Sequence, residues 1–153
     1  MSYIVGMNLT ANDATPQYQL GAVGQTSDGK RYKYVKFDNG AGNVAAVAGN
    51  FAYYLAVGGA SAGELTTVTM DLSDSAGVGA GVFQAVLTDG YYGWIQTWGP
   101  ATLTTALTAG ADGNALTPVG STDGTLDVSA LVTDHIAAIA VDASAKIVFV
   151  TCP

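Results

Sequence analysis

The chain has 153 residues, 49% apolar and only 11% charged, with a net charge of −7. That length is enough for one domain, 1–153, with a real core, and the apolar content excludes disorder, which needs low hydrophobicity with high net charge. The acidic balance argues against nucleic acid as a partner, since phosphate binding needs a cationic patch, and no stretch approaches the roughly 20 unbroken apolar residues of a membrane helix.

So few charges leave a surface of Thr, Ser, Asn, Gly and Ala, which suits packing against a large partner or against further copies. The one cysteine, Cys152, excludes an intramolecular disulfide and a Cys-based zinc site. The opening "MSYIVGMNLT" has no basic n-region and no long apolar h-region, so no signal peptide is expected; its Asn8-Leu9-Thr10 then reads as a chance sequon.

In chain order, residues 1–16 are the least patterned, and either an extended arm or a frayed terminus fits them. "RYKYVKF" (31–37) alternates as a strand, with Tyr32 and Tyr34 on one face and Arg31, Lys33 and Val35 on the other. "GNVAAVAGNFAYYLA" (42–56) is the only stretch of helical character, weakened by Gly49 and its paired tyrosines. "ELTTVTMDL" (64–72) alternates as a strand, and "GVGAG" (77–81) reads as a flexible connection. "GVFQAVLTD" (81–89) leads through Asp89-Gly90 into "YYGWIQTW" (91–98), a hairpin, and 135–152 forms another that turns near Ala143-Ser144. Asp28-Gly29, Asn39-Gly40, Asp89-Gly90, Asp112-Gly113 and Asp123-Gly124 mark turns between these segments. The expected fold is mostly β: a small antiparallel barrel or sandwich with an extended N-terminal arm and little helix.

No catalytic constellation emerges. His135 is the only histidine, and its neighbour Asp134 points to the opposite face of a strand, which is poor geometry for a relay. The aspartates sit mostly in turns, where bonding to their own backbone explains them. "DLSDSAG" (71–77) has oxygen ligands that could meet calcium but lacks the pattern of an EF-hand loop, so calcium is a minor alternative there, and "GVGAG" precedes a strand instead of opening a helix, the wrong context for a phosphate loop. No catalytic residue, cofactor or metal is expected.

Four of the five basic residues, Lys30, Arg31, Lys33 and Lys36, fall within seven positions. A solvated cationic face explains them, with docking on an acidic partner second and single-stranded nucleic acid last. On the second strand of the aromatic hairpin, parity puts Tyr92, Trp94, Gln96 and Trp98 on one face, and Tyr91, Ile95 and Thr97 on the other. The aromatics read as core or as an interface between copies; a sugar-stacking platform, with Tyr91 joining, is the minority alternative.

Three segments carry a resemblance. "PQYQLGAVGQTSDGKRYKYVKF" (16–37), "GVGAGVFQAVLTDGYYGWIQTWGPA" (77–101) and "STDGTLDVSALVTDHIAAIAVDASAKIVFV" (121–150) resemble, in order and spacing, parts of the capsid decoration (cement) proteins of tailed bacteriophages. The resemblance covers about half the chain, and the longer middle section, about 42–76, departs from it. It implies a β-rich structural protein, without enzymatic activity, made in the host cytoplasm and bound to the outside of an assembled shell. The partner it implies is the major capsid protein, and copies are expected to group, a trimer being favoured. Another phage structural part, such as a head fibre base, is the alternative, as is a carbohydrate-binding or host-attachment module using the 91–98 aromatics. Interface residues expected on this basis are Lys30, Arg31, Lys33, Tyr92, Trp94 and Trp98, together with the N-terminal arm.

Overall fold

All five Asp-Gly and Asn-Gly glycines adopt positive φ, so the turn chemistry read from sequence is used at every site. The computed structural model describes residues 4–56, 65–120 and 122–153. Its strands are β1 (Val23–Gln25), β2 (Arg31–Phe37), β3 (Phe51–Leu55), β4 (Thr67–Thr69), β5 (Ser75–Phe83), β6 (Tyr92–Thr102), β7 (Ala115–Thr117), β8 (Asp127–Val128), β9 (Ala138–Asp142) and β10 (Ile147–Thr151). Among the described residues a 3-10 turn, Leu72–Asp74, interrupts them. The protein is mostly β, as its turn spacing implied. Among the described residues no helix is long and apolar enough to cross a membrane.

Five strands pair in a ring. β2 runs parallel to β4, β4 pairs antiparallel with β3, β3 with β5, β5 with β6, and β6 returns to β2. Three of these ladders are only two residue pairs long, so the ring is barrel-like and uneven. Inside it lies one core, with Val35 and Phe37 from β2, Ala52 and Tyr54 from β3, Val68 from β4 and Ile95 from β6. β6 then continues beyond the ring to pair with β10, followed by β9, β7 and β8. The inner face of this second sheet packs Val148, Val150, Ala138 and Leu116 against Phe51, Tyr53 and Val82, on the outside of the ring. β3 is therefore buried on both faces, which is why "FAYYL" reads as a continuous apolar run without alternation.

Several expectations are corrected here. Residues 42–56 form no helix; turns lead to β3, whose two-sided burial accounts for the apolar density that resembled helical patterning. "GVGAG" is not a flexible connection but part of β5, where small residues let neighbouring segments approach closely. The strand expected over 81–89 ends at Phe83, and Leu87 drops from the following loop into the ring core. The strand expected over 64–72 shortens to β4 and gives way to the 3-10 turn, with Glu64 outside the described residues. The C-terminal hairpin turns where expected, with the Asp142 carboxylate accepting from Ser144 Oγ at 2.7 Å and Ala145 N at 2.9 Å.

The N-terminal segment is no free arm. From residue 4 onward it folds back across the outer face of β2 and β6 as a strap, bridging Ile4 to Gly24 and Asp13 to Tyr92. Beneath and within it Tyr32, Tyr34 and Trp94 pack with Met7, Leu9, Tyr18 and Leu20 in a third core. The Tyr18 ring sits 5.2 Å from those of both Tyr34 and Trp94. Tyr34 donates its hydroxyl to Asp13 at 2.6 Å, and burial together with this bond pushes the phenol pKa up to about 12. Gly93 makes the seating possible: an added Cβ there would stand 2.9 Å from the Ala11 carbonyl oxygen.

Candidate interaction surface

The register of β6 against β2 decides which expected residues share a face. Lys36 pairs with Tyr92, Tyr34 with Trp94 and Tyr32 with Gln96, but Arg31 pairs with Trp98, so β6 carries one extra residue at Thr97. Such a bulge shifts every later side chain to the other face. The buried Gln96 amide holds it, donating from Nε2 to the backbone oxygens of Trp98 at 3.2 Å and Pro100 at 3.0 Å. Trp94 and Trp98 therefore do not share a face, contrary to simple parity.

Trp94 lies under the strap at 0% exposure, and Tyr92 packs beside it, stacked on Tyr34 at 6.4 Å. Trp94 is a core residue, so the expectation that it meets a partner directly is corrected, whereas Tyr92 is half-buried at the edge of that core. Trp98 instead remains 40% exposed on the opposite face, with Arg31 5.5 Å above its ring and Phe149 edge-on at 5.3 Å and 85°. Perpendicular rings offer no shared plane on which one sugar ring stacks.

The three expected cations separate as well. Arg31 is exposed beside Trp98. Lys33 is not on a solvated face: its half-buried ammonium donates to Tyr54 Oη at 3.0 Å and to the Pro153 backbone oxygen at 3.3 Å, and burial holds its pKa below the ordinary 10.5. Lys30 belongs to the other face by strand parity, beside Asp28 at 3.8 Å. Only Arg31 and Trp98 of the six named residues meet on an exposed surface.

Residues not singled out from the sequence extend that surface. Beyond the bulge, Trp98 and Pro100 share a face with Phe149 on β10, and Phe149 pairs with Ile139 on β9. Ile139 is 37% exposed and Val141 52%. The result is an apolar sheet face made from three adjacent strands. A signal for it stood in "AIAVD": Ala138 and Ala140 are buried while the larger Ile139 and Val141 face outward. The second core is already filled by Phe51, Tyr53 and Leu103, so it takes alanines from β9.

Chemistry of other kinds finds little support among the described residues. No group of three or more His, Cys, Asp or Glu side chains is placed to hold a metal. The Asp134 carboxylate accepts from the backbone nitrogens of Ala130 and Leu131, both at 2.9 Å, which ties down a loop and does not orient His135. His135 Nδ1 accepts the Gly79 N–H at 3.2 Å, and burial holds its pKa below the ordinary 6.5. That bond needs a neutral ring. As pH falls, the unfolded chain takes up the proton first, so the stability present above pH 6.5 is lost as pH drops through that value toward the lower folded one. The thermal midpoint is expected to fall between about pH 7 and pH 5, and His135→Gln to flatten that part of the profile. An unchanged slope in the variant would assign the titration elsewhere.

No family model matches the chain, and neither does any curated protein or solved structure.

Proposed function

We propose that this protein is a non-catalytic structural protein that docks on the outside of an assembled phage capsid, as a decoration protein does, through the outer face of its second sheet. One observation carries the reading: exposed Trp98, Pro100, Ile139 and Val141, with half-buried Phe149 between them, form an apolar surface on β6, β10 and β9. Isolated exposed hydrophobics need no explanation, but a contiguous apolar face does. Strand spacing and rise give this face an extent of about 300 Å². A stable pairwise interface buries about 800 Å² on each partner. One such face is thus too small for a tight isolated pair, and it suits copies that bind side by side on a repeating lattice. The strap is engaged on its own chain, so the sheet face takes over the docking role the arm was expected to fill. Grouping of copies as a trimer, as the resemblance implies, would add contacts to each.

The test is to add purified protein to undecorated shells. Co-sedimentation at a fixed ratio to the capsid subunit is expected, with a higher shell unfolding temperature, because binding only the assembled state stabilises it by mass action. Trp98→Ser is expected to weaken binding by about 2 kcal/mol, as truncating an interface tryptophan does. No binding and no thermal gain would overturn the reading.

A further inference from the structure

We infer that copies of this chain join head to tail, the 129–134 loop of one seating in a cleft between the strap and β1 of the next; the inference rests on the grouping of copies proposed above and names its contact. Among the described residues the two most exposed large apolar side chains are Val132, fully exposed, and Val5, 78% exposed. Either alone would need no explanation. Their settings, however, have opposite shapes. Val132 and its exposed neighbour Leu131 stand at the tip of the loop that follows β8. The Asp134 carboxylate ties this loop, accepting from the backbone nitrogens of Ala130 and Leu131, both at 2.9 Å, while Asp134 N donates to the Leu131 oxygen at 3.1 Å. A projection fixed in this way loses little freedom on binding. Val5 instead borders an open cleft of about 580 Å³, walled by Val5, Gly6 and Met7 of the strap and by Gln25, Thr26 and Ser27 at the end of β1. Ile4 fixes the strap wall, with Ile4 N donating to the Val23 oxygen at 3.0 Å and Gln25 N to the Ile4 oxygen at 3.2 Å. Ligand clefts of about 300–1,000 Å³ take whole small molecules, so this one has room for two aliphatic side chains.

Projection and cleft cannot meet within one chain. β1 pairs with β2, β2 with β6, and β6 is followed by β10, β9, β7 and β8. The cleft lies beside the first strand of this series and the loop follows the last, six strand spacings away, about 30 Å along the sheet. An apolar projection that complements a pocket elsewhere on the same molecule makes a heterologous contact, which closes into a ring or grows as a filament. A ring of three demands such a contact, because a self-complementary patch yields pairs. The face carrying Trp98, Ile139 and Val141 lies on strands between the two ends, so it stays free to dock. Each copy carries a net charge of −7, so the contact is apolar and strengthens as salt screens the repulsion between copies.

Analytical ultracentrifugation over a concentration series tests the contact without shells. The unsubstituted chain is expected to reach three times the 15.4 kDa of one copy, more completely at roughly 0.5 M salt than at roughly 0.05 M. Val132→Glu spoils the projection and Val5→Glu the cleft, and each should weaken assembly about tenfold or more, since an unpaired carboxylate would have to be buried. Val86→Glu adds the same charge at a site 63% exposed and outside both patches, and should leave assembly unchanged. Circular dichroism establishes that each variant is folded. An equimolar mixture of Val132→Glu and Val5→Glu keeps one intact projection facing one intact cleft, so it should form pairs and nothing larger. An unsubstituted chain that stays monomeric, stops at pairs or grows without limit would overturn the inference. So would loss in only one of the two variants, an equal loss in Val86→Glu, or Val132-dependent binding of a monomer to phosphatidylcholine vesicles. A trimer that depends on both residues but does not bind undecorated shells would sink the capsid reading and leave the contact standing; shell binding by chains that stay monomeric would do the reverse.

Discussion

Gly81→Ala is expected to lower the unfolding free energy by about 3–5 kcal/mol, the combined cost of a strained backbone and an overpacked contact. Gly81 sits at φ +146°, and a Cβ there would overlap the Gln96 carbonyl oxygen and stand 3.0 Å from its carbonyl carbon. Both obstacles are backbone, so no flexible side chain can move aside. The site is also where the ring closes between β5 and β6, through Val82 opposite Gln96 and Phe83 opposite Ile95. Moving these strands apart would disturb Gln96, which holds the bulge behind Trp98. The informative control is Gly90→Ala, with φ +77° but nothing within 4 Å of the added carbon. It should cost only about 1 kcal/mol, for the left-handed backbone alone. Denaturant midpoints and slopes measure both. Equal costs would mean that close approach of β5 to β6 is not what Gly81 provides.

Trp94→Ala is expected to cost about 3–5 kcal/mol and to release the strap. The indole is fully buried among Tyr18, Tyr34 and the strap residues, so its loss leaves a cavity walled by three elements. Proteases should then cut within residues 4–22 well before the rest of the chain, because strap seating depends on that packing. Trp94→Phe is expected to cost far less. The Trp94 Nε1 is buried with no hydrogen-bond partner, and a phenyl ring removes this unsatisfied donor, whose burial costs about 1–3 kcal/mol, while keeping much of the volume. Thermal unfolding of the two variants, with limited proteolysis alongside, checks the order. If Phe and Ala prove equally damaging, relief of the unpaired donor has no part in the energetics.

How much of this was legible in advance varies element by element. β2 was readable because Tyr32 and Tyr34 alternate with Arg31 and Lys33 and their rings are indeed covered. What covers them was not, since residues 4–22 have no periodicity of their own; they match the face they cross through glycine windows and scattered bonds. β3 was misread because burial on both faces removes the alternation from which a strand is recognised. The candidate surface was half visible: Arg31 and Trp98 were named, but Phe149, Ile139 and Val141 were passed over. Large apolar residues in a strand are ordinarily assigned to a core, and only the bulk of Phe51 and Tyr53 shows that alanines belong inward here.

By itself the sequence determined the β class and the turns, because Asp-Gly and Asn-Gly pairs act through local backbone preferences that need no distant partner. It also determined the acidic balance and the cluster of cations on one strand. The tertiary structure decided which side of the molecule each aromatic serves. That choice depends on one extra residue in β6, visible only when Arg31 and Tyr32 are paired across to Trp98 and Gln96. A register shift of one residue reverses every side chain beyond it, and it is defined by pairing between strands more than 60 positions apart in the chain, at Arg31 and Trp98. Trp94 was thereby placed in a core and Trp98 on a surface.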